Sequence, residues 1–310
     1  MIEIRYLIRR ILGDHGIRTV RLIASHIYKY LGVKDKPSKY REFGVSAVIW
    51  SRNEEEWIEA SMRSVKEIVD EYVLIDSSTD RTPEIAREVG RELGIPVKIV
   101  KTSSRDMAHI GNLGLKHSKY RWILKWDPDF IMHEKYIDLI KKIIEDLDSD
   151  NWYYAVYWPH ICLDGDLRHY NPKNYLHIEH WLFNYSPDLK YVCCIKGFLE
   201  HLIVPIYYRR IDIRKPLSFH LRTVKKPIRL LYRYYWYYAR VNGILEKIDL
   251  DKFVREKIIE DFGTSDIVEA SRKYLQTMLK DLEIYDPEKI HSYPKILEKY
   301  LDRYQSLQNK

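Results

Sequence analysis

Cysteine is scarce. There are three in 310 residues, with Cys193 and Cys194 adjacent, Cys162 alone and no CxxC pair. Neither a zinc cage nor a disulfide framework is indicated. Glycine and proline number 12 each, too few for collagen-like or linker-like sequence. No apolar stretch approaches the roughly 20 residues that span a bilayer. The segment Met1-Ile2-Glu3-Ile4-Arg5 lacks the apolar run of a secretory signal. A cytoplasmic location is therefore expected, with at most peripheral contact at the inner membrane face. Glutamine occurs three times beside abundant Lys, Glu, Ile and Tyr, a bias that fits a thermophile protein.

What is present can build a core: 45% of the residues are hydrophobic and 31% charged. The charge is unevenly placed. Residues 1–42 hold ten basic and four acidic side chains, and residues 205–240 hold ten basic ones against Asp212 alone. The remainder is net acidic. Two basic segments thus flank and interrupt an acidic body, and such clusters attract phosphates of lipid, nucleotide or nucleic acid.

Residues 2–31 carry amphipathic helical spacing, with Ile4, Leu7, Ile8, Ile11 and Leu12 on one face and Val20, Ile23, Ala24, Ile27 and Leu31 on another. Gly13 and Gly16 are candidate breaks, and the polar stretch 34–42 with Pro37 is a candidate boundary. Short apolar runs then alternate with helical patterns. Strands are expected at 45–50, 72–75, 97–100 and 122–126, and helices at 54–67, 83–93, 106–117 and 135–147. This is the rhythm of βαβ units, which implies an α/β fold with a mainly parallel sheet flanked by helices. Beyond residue 150 the pattern weakens. A strand is expected over 152–158, a hairpin turn at Leu163-Asp164-Gly165-Asp166, irregular structure with short strands over 167–205, and a helical C-terminal region from Pro227 with breaks near Gly243, Gly263 and Pro287. The expected domains are a basic amphipathic helical segment (1–42), a catalytic domain (43–226, halves 43–132 and 133–226) and a helical region (227–310).

Ligands of open parallel sheets bind outside the carboxyl ends of the strands. Four polar clusters fall on that edge: Arg52, Asn53 and Glu54; Asp76 to Asp80; Ser103 to Asp106; and Asp127 with Asp129. Asp127-Pro128-Asp129 places two hard oxygen ligands on a stiffened turn, suited to Mg2+ or Mn2+; an Asp-rich strand-end turn is the bland alternative. Asp76 can accept hydrogen bonds from a base or ribose, or its cluster can serve only to cap the helix opened by Pro83.

Three ordered motifs resemble one family. Val45 to Glu54 reads VSAVIWSRNE, Glu71 to Ala86 reads EYVLIDSSTDRTPEIA, and Tyr120 to Met132 reads YRWILKWDPDFIM. In order and spacing they are similar to the nucleotide-sugar half of family 2 glycosyltransferases, which have the GT-A fold. The resemblance covers about residues 44–132. Ser77 and Ser78 stand where the family has Asp and Gly, and Trp50 to Arg52 replace its usual Tyr.

The resemblance implies a GT-A-like enzyme that moves a sugar from a nucleotide-diphospho-sugar to an acceptor hydroxyl, inverting with a carboxylate base. It puts Arg52, Asn53 and Glu54 at the donor nucleotide, Asp76 and Arg105 at the base, Asp127 at the ribose or metal, and Asp129 on the Mn2+ or Mg2+. For the base, Glu200 in Lys196-Gly197-Phe198-Leu199-Glu200-His201 is preferred, with Asp164, Asp166 and Glu179 as rivals. His220 is a candidate third metal ligand. His177 and His180 lie three apart but lack an HExxH pattern, so no zinc site is expected there. The acceptor would be lipid-linked or a polysaccharide. Arg229 to Arg240, RLLYRYYWYYAR, suits helix packing first and lipid-surface contact second. Nucleic acid is not expected. The alternatives are a nucleotidyltransferase, which lacks its Gly-rich phosphate loop here, and a non-catalytic membrane-surface or nucleic-acid binding protein using the basic aromatic segments.

Overall fold

The computed structural model describes residues 2–193 and 200–308. The chain begins with α1 (Ile2–Tyr30), interrupted at Gly13, whose φ of 63° and ψ of 178° leave the helical region. Then follow β1 (Val45–Ser51), α2 (Ile58–Ser64), β2 (Glu71–Asp76), α3 (Thr82–Leu93), β3 (Val97–Lys101), α4 (Met107–His117), β4 (Trp122–Trp126), β5 (Phe130–Met132) and α5 (Ile137–Ser149). The later strands are β6 (Tyr154–Cys162), β7 (His169–Tyr170), β8 (Leu176–Asn184), β9 (Lys190–Cys193), β10 (Glu200–Ile203), β11 (Arg209–Asp212) and β12 (Ser218–His220). The chain continues through α6 (Pro227–Val241), α7 (Leu250–Phe262), α8 (Ile267–Lys280), β13 (Glu283–Ile284) and α9 (Lys295–Gln308).

The strand order of the main sheet is β3-β2-β1-β4-β8-β6-β12-β5, with β11 beside β6. Its first half is parallel: β2 pairs with β3 and β1, and β1 with β4. The β4–β8 pair is antiparallel, so the sheet is mixed where a mainly parallel one was expected. β1, β2 and β4 are buried along their whole length, which is why they read as continuous apolar runs. Helix starts follow local chemistry. Asp106 caps α4 by accepting from the Ala108 N–H, and Pro83 sits in the first turn of α3.

Two compact units emerge: residues 1–160 with 178–218, and residues 161–177 with 219–310. The chain passes between them within β6, β8 and β12. The first unit is filled by Trp122, Trp126, Trp152, Trp158 and Trp181, all fully buried. The second packs α6, α7 and α8 through Leu231, Tyr235, Val254, Ile258 and Ala270.

Several expectations need correction. The helix expected over 54–67 is confined to Ile58–Ser64, because residues 54–57 form a turn. The turn at Gly165 is closed by the Asp164 N–H, which donates to the His169 carbonyl at 2.9 Å, but the short strand after it, β7, pairs with β13, more than a hundred residues later. His177 and His180 lie on β8 rather than on a helix, so helical spacing does not relate them. The apolar stripe of α1 over residues 20–31 is turned outward, while the side chains of Ile4, Leu7, Ile8, Ile11 and Leu12 lie outside the described residues. Val20, Ile23, Ile27, Tyr30 and Leu31 are exposed, from 39% at Val20 to 90% at Tyr30, while Ser25 on the other side is buried. That buried side is held by polar bonds: Trp152 Nε1 and Arg209 Nε donate to Ser25 Oγ at 2.7 and 2.8 Å, and Arg21 donates to the Pro205 carbonyl at 2.8 Å. Arg229 to Arg240 forms α6, which buries Leu230, Leu231, Tyr235 and Ala239 and leaves Tyr237 exposed.

Candidate active site at the carboxyl edge of the parallel strands

The parallel register brings Ser51, Asp76 and Lys101 side by side at the ends of β1, β2 and β3, and pairs Ile49 with Trp126, one residue before Asp127. The four expected loop tips therefore share one edge of the first unit. The tips of β1 and β2 are tied together by hydrogen bonds. The Asn53 N–H donates to Ser78 Oγ at 2.8 Å, and the Thr79 N–H donates back to Asn53 Oδ1 at 2.7 Å. The Glu54 N–H donates to Thr82 Oγ1 at 2.7 Å. Asn53 adopts φ 58°, a left-handed turn that Asn tolerates better than most residues. Its side chain thus braces two loops, a role the motif alone did not reveal.

Asp76 is fully buried. Ser51 Oγ donates to Oδ1 at 2.7 Å, the Ser78 N–H donates to the same oxygen at 3.2 Å, and Lys101 Nζ pairs with Oδ2. Burial by itself would raise its pKa, but the Lys101 ammonium and the bonds from Ser78 and Ser51 outweigh it, and the carboxyl titrates below its ordinary value. Three of its roughly four lone-pair positions are occupied by protein. Sequence reasoning missed Ser51 and Lys101, whose signal was their place at the ends of neighbouring strands.

Asp127 and Asp129 lie on the turn between β4 and β5. Asp129 is buried, and the Asp127 side chain keeps 30% of its exposure. The turn is pinned through its backbone: the Asp127 carbonyl accepts from Ser61 Oγ of α2 and from the Phe130 N–H, each at 3.0 Å. Lys125, 6% exposed, is a second residue that the motif did not flag. Its Nζ lies 3.9 Å from Asp127 Oδ1 and 5.3 and 5.2 Å from the ring centroids of Trp50 and Trp181. A lysine inside the apolar run Trp122-Ile123-Leu124-Lys125-Trp126 was the available signal. The two carboxylates have the hard oxygen chemistry of a divalent-cation site, and a cation already stands beside one of them. Among the described residues, no three His, Cys, Asp or Glu side chains gather into a metal-holding group. His220 ends β12 in the second unit, where its carbonyl accepts from the Leu163 N–H.

Arg52 and Arg105 are exposed on the first and third tips, and Glu54 is half-buried. Glu200 opens β10, opposite Cys193 of β9. This hairpin sits on α4, the helix that leaves the third tip. Asn112 Nδ2 donates to the Tyr191 carbonyl and Asn112 Oδ1 accepts from the Tyr191 N–H, both at 2.9 Å. A Cβ on Gly111 would lie 2.5 Å from the Tyr191 ring, so glycine is what permits the close approach. Lys196 to Leu199, which precede Glu200 in its motif, lie outside the described residues. Of the rivals, Asp164 is committed to Arg222, at 3.0 and 2.7 Å, and to Thr223 Oγ1, at 2.8 Å. Asp166 accepts from the Arg168 N–H and pairs with His169 Nδ1, each at 2.7 Å. Glu179 lies on β8. A surface hollow of about 330 Å³ lined by Arg87, Arg91 and Pro96 opens at the amino end of β3, away from these carboxylates.

The model of the family "Glycosyl transferase family 2" matches residues 46–203, which include all four tips and the Glu200 hairpin. The chain belongs to this family. Its α/β sheet, parallel through β3, β2, β1 and β4 and flanked by helices, is GT-A-like. An uncharacterized glycosyltransferase of Rickettsia bellii (strain RML369-C) is 32% identical over 111 residues, 35% of each chain, so the match spans about a third of that relative. Among solved structures, S. aureus TarS is 13% identical with a TM-score of 0.42, over 86% of this chain and 55% of that one. A mannosyltransferase from Pyrobaculum calidifontis, PcManGT, described with GDP-Man and Mn2+, is 14% identical with a TM-score of 0.39, over 97% and 96%. No helix among the described residues is long and apolar enough to cross a membrane.

Proposed function

We propose that this family 2 member transfers a sugar from a nucleotide-diphospho-sugar to an acceptor hydroxyl with inversion, using a divalent cation held by Asp127 and Asp129. The observation that carries the reading is the convergence of the Asp76 tip, the Asn53 tip and the Asp127–Asp129 turn on one sheet edge. The Arg52–Glu54 segment and Asp76 shape the nucleotide end, and Arg105 on the neighbouring tip supplies an exposed guanidinium to the base or phosphates. When bound, the cation neutralises charge on the departing diphosphate. Glu200 is assigned as the base. Its carboxylate takes the acceptor proton as the acceptor oxygen bonds to the anomeric carbon, while the bond from that carbon to the phosphate oxygen breaks and the diphosphate leaves with the electron pair. The acceptor is assigned to the lipid-linked or polysaccharide class. The test is release of nucleoside diphosphate from a panel of UDP- and GDP-sugars with Mn2+, Mg2+ or EDTA. Turnover that needs the metal and is lost in Asp129→Asn supports the reading; metal-independent turnover in both proteins contradicts it.

A second reading concerns location. The outward apolar stripe of α1, in a segment rich in basic residues, fits an anionic membrane surface that takes apolar side chains at head-group depth. Sedimentation with anionic vesicles should be lost in Ile23→Glu/Ile27→Glu. Equal sedimentation of both proteins would remove α1 from the contact.

A further inference from the structure

A charged side chain in the middle of a sheet is costly unless its surroundings compensate. Lys125 belongs to β4, a central strand buried along its length. Its register partner on β1 is Val48, whose Cγ1 would lie 2.4 Å from a Cβ on Gly114, so α4 closes over this face. At least three groups meet the ammonium. The indole faces of Trp50 and Trp181 lie 5.3 and 5.2 Å away, within cation–π range, and Asp127 Oδ1 lies at 3.9 Å. A methionine would fill the same space without charge. A lysine instead puts an amino group that can carry positive charge beside the first carboxylate of the proposed metal pair.

Two cations cannot share Asp127 without cost. Unit charges about 4 Å apart repel strongly enough, at the effective dielectric of partly exposed protein sites, to shift a binding constant by tenfold or more. Without a ligand, Lys125 partly neutralises Asp127 and weakens the carboxylate pair as a site for a bare divalent ion. A nucleoside diphosphate brings negative charge that interacts favourably with both the ion and the ammonium, so the penalty falls when metal and nucleotide arrive together.

We propose that Lys125 is a resident counter-charge of the donor site, which holds Asp127 in place of a divalent cation and makes metal binding depend on the nucleotide diphosphate. The inference deepens the metal-dependent reading above and rests on it. It adds a positioning residue that acts through Asp127 and gives the enzyme an order of assembly: metal and diphosphate together, rather than metal first.

The test titrates Mn2+ into wild type, Lys125→Met and Lys125→Arg, following free Mn2+ by electron paramagnetic resonance, with and without UDP or GDP. Thermal melting of each variant checks the fold. Lys125→Met is expected to bind Mn2+ alone at least about tenfold tighter than wild type, and Lys125→Arg close to wild type. The enhancement of Mn2+ affinity by the diphosphate should shrink in Lys125→Met by a similar factor. Adding Asp127→Asn to Lys125→Met should cancel the gain. Equal or weaker Mn2+ binding by a folded Lys125→Met overturns the counter-charge role while leaving the carboxylate pair standing. If wild type and Lys125→Met both bind no Mn2+, with or without diphosphate, the carboxylate-pair reading falls and this inference falls with it. If Lys125→Met fails to fold, the arginine variant decides. Its charge is kept, so Mn2+ affinity near that of wild type is required, and a tenfold gain there overturns the proposal.

Discussion

The β1–β4 half of the first unit and the stretch from β6 to β12 are assembled by different routes. In the first half, β1 and β2 join partners near in sequence, with Ser46 and Glu71, Ser51 and Asp76, and the Asn53 and Ser78 tips each linked across 25 positions, and only the β1–β4 pair reaches further. Each strand is closed by its own helix before the next begins. In the later stretch β6 pairs in parallel with β11, more than fifty positions on, and β8 runs antiparallel to β4. Regular repetition produces an edge where polar tips accumulate. Long-range pairing produces individual side-chain clamps, such as Asn112 on Tyr191 and Trp181 Nε1 on the Trp158 carbonyl at 2.7 Å. A donor site belongs on the first kind of framework because a shared edge places several loops at once.

This contrast can be broken by mutation. The largest effect is expected at Asp76, where one carboxylate joins the ends of three strands. Asp76→Ala leaves Ser51, the Ser78 N–H and Lys101 without their acceptor, and should cost about 2–4 kcal/mol of stability in urea unfolding together with nucleotide binding. Asp164→Ala in the second unit frees Arg222 and should cost a similar amount, about 2–3 kcal/mol, while nucleotide binding to the folded variant persists. Loss of binding in both would erase the distinction between donor edge and clamp.

The next effect is one of close packing. Gly114→Ala would put a Cβ 2.4 Å from Val48 Cγ1, so α4 must move away from β1, at a cost of about 1–3 kcal/mol. Its effect should extend to the β9–β10 hairpin and so to turnover, because the hairpin rides on α4. A variant that melts like wild type would show that α4 is not seated as described.

Asn53→Ala should cost about 1–2 kcal/mol, from the lost Thr79 N–H acceptor and from placing a Cβ-branched-free but non-Asn residue at φ 58°. Asn53→Gly should recover the conformational part. If both variants cost the same, the hydrogen bond rather than the backbone sets the preference.

A smaller effect appears with pH. The folded pKa of Asp76 is lowered, so its contribution is present above the ordinary carboxylate range and is lost as pH falls through the folded value. Asp76→Asn should therefore flatten the acid limb of a stability–pH profile and leave the neutral-to-basic limb parallel to wild type. An unchanged acid limb would show that Lys101, more than half exposed in its side chain, does not hold the carboxylate in solution.

The same contrast explains what could be read from sequence. The runs VSAVIWS, EYVLID and WILKW declared β1, β2 and β4 because a strand buried on both faces needs only local apolar residues. Their order then placed Asn53, Asp76 and Asp129 on one edge before any coordinates. The pairing of β7, just after the Gly165 turn, with β13 at Glu283–Ile284 is not legible, because no local signal names so distant a partner. The stripe of α1 was legible as a face but not as an outward one. Periodicity reports that residues share a side, while Ser25, a polar residue, marks the side that docks. Lys101 and Lys125 were missed because basic residues near strand ends are common, and only the register shows which carboxylate each one meets.

Calorimetric titration of UDP and GDP into wild type and Asp129→Asn, with and without Mn2+, tests the donor edge most directly. The account predicts that one diphosphate binds wild type, that Mn2+ tightens it at least about tenfold, and that this gain vanishes in Asp129→Asn while its melting temperature stays near that of wild type. The same metal-dependent gain in both proteins, or no binding of either diphosphate to wild type, would contradict it.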